Sequence, residues 1–256
     1  RINVAEQTHL KGRIDGDQND FKMNFTSPEL LIYNNGFENV NLQINNKNPL
    51  FNTYIEMDSL KMANYKISDF SLINLTMNDS MFVRSEFKGG AKSQDFYNIN
   101  LYHTIDQDNK SVVGFKKSEV SFRDFLWFIN ENESNHDNKI IFNKSLNDFE
   151  VKNISLSHEG QQMNLNAILK GEDYKDINLD FNDVDLAKIA PSTNNLTFAG
   201  TIDGSIQVKQ LQPDQYKPTA DIHIEKFILN DQHIGDLKFN VVGDDKFRKF
   251  NVDTRI

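Results

Sequence analysis

The chain has 256 residues, 25% of them charged, and a formal net charge of −9. Its Lys and Arg are scattered rather than clustered, so it lacks the basic face that nucleic-acid binding requires. The absence of cysteine excludes disulfides, Cys-ligated zinc and Cys nucleophiles, and no apolar run approaches the roughly 20 residues of a membrane-spanning helix.

Period two dominates the chain. Leu10–Ile14 and the row Phe21, Met23, Phe25 read as two strands joined by the turn DGDQND, Asp15–Asp20. Val40, Leu42 and Ile44 repeat the alternation, and Tyr97, Ile99, Leu101, His103 and Ile105 form a longer row. The segment FRDFLWFI (Phe122–Ile129) is read as a short helix, and NESNHDN (Asn132–Asn138) as a long polar loop. Met163, Leu165, Ala167 and Leu169 then alternate with polar residues, followed by Ile177, Leu179 and Phe181. DLAKIAP (Asp185–Pro191) is the best helix candidate. From Leu196 the alternation runs through Phe198, Gly200, Ile202, Gly204 and Ile206 to Val208, which predicts one long strand bent at its glycines. Leu237, Phe239 and Val241 make the last row. Turn signals such as YNNGF, DQDNKS, EGQQ and GEDYKD separate these rows, as in an antiparallel meander. The chain is therefore expected to be all-β, one continuous sheet system over residues 1–256, with few short helices. Opening at Arg1 and closing inside a strand pattern at Ile256, it is expected to be a segment of a longer protein.

Chemistry-bearing motifs are scarce. DGDQND begins like a calcium loop, but its sixth position is Asp20 rather than Gly and its twelfth is Thr26 rather than Glu. A hairpin turn is the better reading. The six histidines form no HExxH motif, and no nucleophile elbow, Walker loop or GxGxxG occurs. His223 and Glu225 share a strand face, which suits a solvated surface better than a metal site. GTIDGS (Gly200–Ser205) and its near twin GRIDGD (Gly12–Asp17) lack the Lys and the following helix of a phosphate loop. In each motif the alternation puts the glycines and Ile on the apolar side and Asp on the polar side. No catalytic residue, cofactor or metal is expected.

Two readings of the apolar rows stay open at this point. In one, two sheets close on each other as a sandwich core, giving a binding or structural module of a cell-envelope complex. Alternatively, the rows line a groove that stays partly open to something apolar.

Several segments in order resemble the TamB family of translocation and assembly proteins. They include LKGRIDGDQNDFKMNFTSPEL, FENVNLQINNKNPLFNTYIEMDS, SVVGFKKSEVSFRDFLWFINEN, DINLDFNDVDLAKIAP, LTFAGTIDGSIQV and IEKFILNDQHIGDLKFNVVGD. The resemblance runs from about Leu10 to Gly243. It implies a β-taco, a long antiparallel-rich sheet folded lengthwise around an apolar interior, as in AsmA-like and bridge-like lipid transfer proteins. It also implies a periplasmic location within an inner-membrane-anchored protein. The partners implied are phospholipid acyl chains and, through other parts of the parent chain, an outer-membrane barrel of the BamA/TamA type. The implied roles are phospholipid transport to the outer membrane and assistance to outer-membrane protein assembly. On this reading the groove is lined by Ile99 and Leu101, by Met163, Leu165 and Leu169, and by Ile177, Leu179 and Phe181. Leu196, Phe198, Ile202, Ile206, Val208, Leu237, Phe239 and Val241 complete the lining.

Overall fold

The structure, a computed structural model, describes residues 2–47, 50–62, 65–77, 80–90, 94–122, 124–190, 196–213, 215–244 and 250–255. Among them it is all-β: nineteen strands and one short helix, with every described strand pair antiparallel. The chain forms two compact units, Arg1–Asp106 with Val113–Trp127, and Gln107–Val112 with Phe128–Ile256.

The first ten strands are β1 (Ile2–Val4), β2 (His9–Asp15), β3 (Asp20–Ile32), β4 (Asn35–Lys47), β5 (Leu50–Lys61), β6 (Lys66–Met77), β7 (Ser80–Gly89), β8 (Asp95–Ile105), β9 (Ser111–Phe115) and β10 (Ser118–Phe122). In the first unit β2 through β8 form a meander, each strand paired with the next, and β10 closes onto β8. Asp15–Asp20 is the expected hairpin turn: the Gln18 N–H donates to Asp15 Oδ1 at 3.3 Å, and Asp15 pairs with Asp20 across the ladder.

The remaining elements are β11 (Phe125–Ile129), β12 (Lys139–Phe142), β13 (Asp148–His158), β14 (Gln161–Lys170), β15 (Tyr174–Asp185), α1 (Leu186–Ile189), β16 (Phe198–Gln212), β17 (Gln215–Leu229), β18 (Gln232–Gly243) and β19 (Phe250–Arg255). In the second unit β12 through β19 form another meander. Two of its hairpins turn on two residues that both have positive φ, Glu159–Gly160 and Asn230–Asp231. That is the type I′ requirement, which matches the twist of the strands and pins the register.

The helix expected at Phe122–Ile129 is absent. Asp124 has φ 68°, a left-handed turn that breaks any helix, and β10 and β11 flank it. Phe125, Trp127, Phe128 and Ile129 are aromatic or β-branched side chains that pack better on a pleated sheet than on a helix turn. Trp127 is 1% exposed, the largest fully buried side chain. DLAKIAP does contain the helix: Asp185 caps α1 by accepting from the Ala187 N–H at 3.0 Å. Its last residue, Pro191, lies outside the described residues. NESNHDN is a loop, ordered by two buried asparagines. Asn130 Oδ1 accepts from the Ser134 N–H at 2.7 Å and from Asn138 Nδ2 at 3.1 Å, while Asn138 Oδ1 accepts from the Ser155 N–H at 2.8 Å.

Candidate functional site

Strand register carries the apolar residues of neighbouring strands into rows that run across each unit. In the second unit one row is Leu156, Met163, Phe181, Gly204, Ile222, Phe239. The next is Ile154, Leu165, Leu179, Ile206, Ala220, Val241, and a third is Val151, Ala167, Ile177, Val208, Pro218. Beyond bulges in β15 and β17 lies a fourth, Val184, Ile202, Ile224, Leu237. Leu169 begins a fifth row with Phe149, Lys175, Gln210 and Tyr216. Twelve of the sequence-predicted lining residues thus fall on one face of one meander: Met163, Leu165, Leu169, Ile177, Leu179, Phe181, Ile202, Ile206, Val208, Leu237, Phe239 and Val241.

Ile99 and Leu101 lie in the other unit, in rows of their own. Leu10, Phe25, Leu42, Ile55, Leu72, Ser85 and Ile99 form one; Gly12, Met23, Ile44, Thr53, Asn74, Val83 and Leu101 form the next. These rows are interrupted by polar residues, and Ile73, Leu75, Met77 and Phe82 stand exposed on the opposite face. Leu196 precedes β16 and is exposed, and Phe198 lies beyond a register shift between Ala199 and Thr201. Neither belongs to the rows just described.

Depth along the face of the second unit is uneven. Val184, Ile202, Ile222 and Ile224 are buried, at 0%, 7%, 6% and 8% exposure, and α1 packs against β16 beside them. Leu165, Leu179, Phe181 and Val208 are half-buried, and Ile206 and Phe239 are 38% and 36% exposed. The face therefore has a dry end at Val184 and an accessible stretch around Ile206.

The opposite face is amide-rich. Asn164, Asp180, Ser205, Asp221 and Asn240 make one row across it. Two hollows there, of about 480 and 310 Å³, are lined by groups such as Glu150, Asn166, Asn178, Gln207, Asn138 and Gln162. The bulges are capped from this face. Asn153, Asp183 and Lys226 have φ of 43°, 51° and 51°. Their N–H groups, displaced from the ladder, donate to Asn166 Oδ1, Asp203 Oδ1 and Asp236 Oδ1 at 2.9, 2.8 and 2.9 Å. Each cap comes from the strand that follows the bulged one. Asp203, at the centre of GTIDGS, is thus a structural cap.

No protein-family model, curated protein or solved structure matches the chain.

No group of three or more His, Asp or Glu is placed to hold a metal among the described residues. Among the described residues two titrations are displaced. Glu38 is held below the usual carboxylate range by the Lys61 ammonium that donates to it, and further by Ser59 Oγ at 2.5 Å. Burial pushes the Tyr97 phenol well up, aided by its hydrogen bond with Tyr65. Both belong to cross-strand packing in the first unit.

Lys175 escaped the sequence reading. It lies one step before Ile177 on the same alternation, so extending the row Ile177, Leu179, Phe181 toward the turn finds it.

Proposed function

We propose that this chain is a non-catalytic segment of a TamB-like periplasmic bridge. Its sheet is folded lengthwise as a β-taco, and its apolar rows shelter phospholipid acyl chains on their way to the outer membrane. Other parts of the parent protein would meet the outer-membrane barrel and assist protein assembly there. The observation that carries this reading is the half-open apolar face. A closed sandwich buries its inner face; here Ile206 and Phe239 stay more than a third exposed within otherwise apolar rows. A palmitoyl-length chain loses on the order of 13 kcal/mol on entering water, at about 0.8 kcal/mol per methylene. A wall of Leu, Ile, Val and Phe offsets most of that without any catalytic group or cofactor. The amide-rich opposite face keeps the outside wetted.

Photo-crosslinking tests the proposal. A benzophenone amino acid at Ile206 or Phe239 is expected to capture phospholipid in cells, and one at Ser205, on the other face, is not. Equal capture at all three positions, or none at any, would overturn it.

A further inference from the structure

The apolar rows of the second unit end in a polar corner. Lys175 on β15, Gln210 on β16 and Tyr216 on β17 are cross-strand neighbours in the row begun by Leu169. Lys175 is the only Lys, Arg, Asp or Glu in the five rows, among the described residues. It forms no ion pair with a described carboxylate; its Nζ instead lies 5.9 Å from the centroid of the Tyr216 ring. The two side chains come from the strands on either side of β16, so they approach each other across Gln210. Gln210 is 2% exposed, and its Oε1 accepts no hydrogen bond. A buried carbonyl oxygen without a donor is an unmet demand.

We infer that this corner holds the head of a phospholipid whose acyl chain runs along the strands and crosses the rows, with the phosphate on Lys175 Nζ and a head-group N–H or O–H donated to Gln210 Oε1. The inference rests on the proposed function and adds orientation and head-group choice to it. Orientation follows from the two ends of the face. The tail points toward the dry cluster at Val184 and the head stays at Lys175. Six residues separate Lys175 from Phe181, about 20 Å of strand, which matches an extended palmitoyl chain. Binding exchanges a cation–π contact for a charge-assisted hydrogen bond, the stronger of the two. As Lys175 turns to the phosphate it uncovers Gln210. Selectivity follows from that acceptor. Ethanolamine and glycerol heads carry a donor; choline carries none, and a site built around a buried acceptor rejects a ligand that leaves it unpaired.

The test uses the whole chain and three pyrene-acyl probes with the same tail: a phosphatidylethanolamine, a phosphatidylcholine and a methyl ester. The phosphatidylethanolamine is expected to bind about tenfold tighter than the phosphatidylcholine, the value of one hydrogen bond to a buried group. Lys175→Met and Gln210→Leu should each erase about that factor for the phosphatidylethanolamine and leave the methyl ester unchanged, whereas Lys175→Arg should keep it. Equal affinity for the two heads, or full phosphatidylethanolamine affinity in both Met and Leu variants while the ester still binds, overturns the head site alone. Competition by tail-free glycerophosphoethanolamine as strong as by the whole lipid also overturns it, because the ligand is then a free phosphoester. If none of the three probes binds the wild-type chain, the proposed function falls and the head site with it.

Discussion

Gly204 offers the sharpest test of how the long strand β16 is built. It has φ 118°, and a Cβ placed on it would run into the Asp221 carbonyl oxygen and lie 3.0 Å from the Asp221 carbonyl carbon. Gly204→Ala therefore carries two penalties. Holding an L-residue in that glycine region costs about 1–3 kcal/mol. Pushing β17 away to make room costs about 1–3 kcal/mol more, since the obstacle is backbone and not a flexible side chain. The total is about 2–6 kcal/mol, which at an m-value of about 2 kcal/mol/M lowers the urea midpoint by about 1–3 M. Gly12, the strand glycine that opens the twin motif GRIDGD, is the control. Its φ is ordinary, and a Cβ there meets only the Lys22 carbonyl oxygen at 3.7 Å. Gly12→Ala should leave the midpoint within a few tenths of a molar, as an exposed strand position without strain does. Unfolding followed by circular dichroism in the β region measures both, read per transition because the two units need not unfold together. Equal midpoints for the two variants would refute the argument that close approach of β17, rather than the motif itself, demands glycine.

Three further outcomes are expected. Asp203→Ala leaves the Asp183 N–H without its cap and should cost about 1 kcal/mol, with faster amide exchange at Asp183 as the local readout; unchanged exchange would show the cap to be idle. Ile206→Asp should cost about 1 kcal/mol or less, whereas Ile224→Asp, at 8% exposure, should cost several and unfold the unit; equal losses would mean that both lie in one closed core. For Glu38 the folded carboxyl titrates below its unfolded value, so its contribution is complete above the unfolded pKa and is lost as pH falls through the folded one. The gap in urea midpoint between wild type and Glu38→Gln should accordingly narrow on acidification, and a gap that widens would reverse the sign.

Alternation reveals which side of a strand a residue occupies, because that depends only on the parity of its position. Met163, Leu165 and Leu169 share one side of β14, and Ile177 and Leu179 one side of β15, for that reason; which residue faces which across the two strands is set by the register, which alternation does not give. Parity fails where a residue is added. Asn153, Asp183 and Lys226 look like ordinary strand residues, yet each is the extra residue of a bulge, and nothing local distinguishes them from their neighbours. Their caps, Asn166, Asp203 and Asp236, sit on another strand, so the signal is a pairing and not a motif. Phe122–Ile129 failed differently: a short aromatic run fits both periods, and only the left-handed Asp124 decides between them.

The twin motifs sharpen this distinction between side and depth. GTIDGS and GRIDGD have the same spacing and put the same residue types on the same sides. In the first, Gly200 and Gly204 both have positive φ, and a Cβ on Gly200 would lie 2.8 Å from the Glu225 carbonyl oxygen. In the second, Gly16 has nothing within 4 Å of where its Cβ would be, and Ile14 is 79% exposed. What separates them is the strand alongside: β17 bulges at Lys226 and comes close to β16, whereas β3 does neither beside β2. The same logic governs the apolar face. Ile202 and Ile206 are indistinguishable by period, but Ile202 is wedged between Val184 and Ile224 while Ile206 faces Ala220 and the half-buried Leu179. A small partner leaves Ile206 accessible; two branched partners seal Ile202. The accessible stretch at Ile206 therefore comes from side-chain size on the neighbouring strands, and enlarging Ala220 is a direct way to close it.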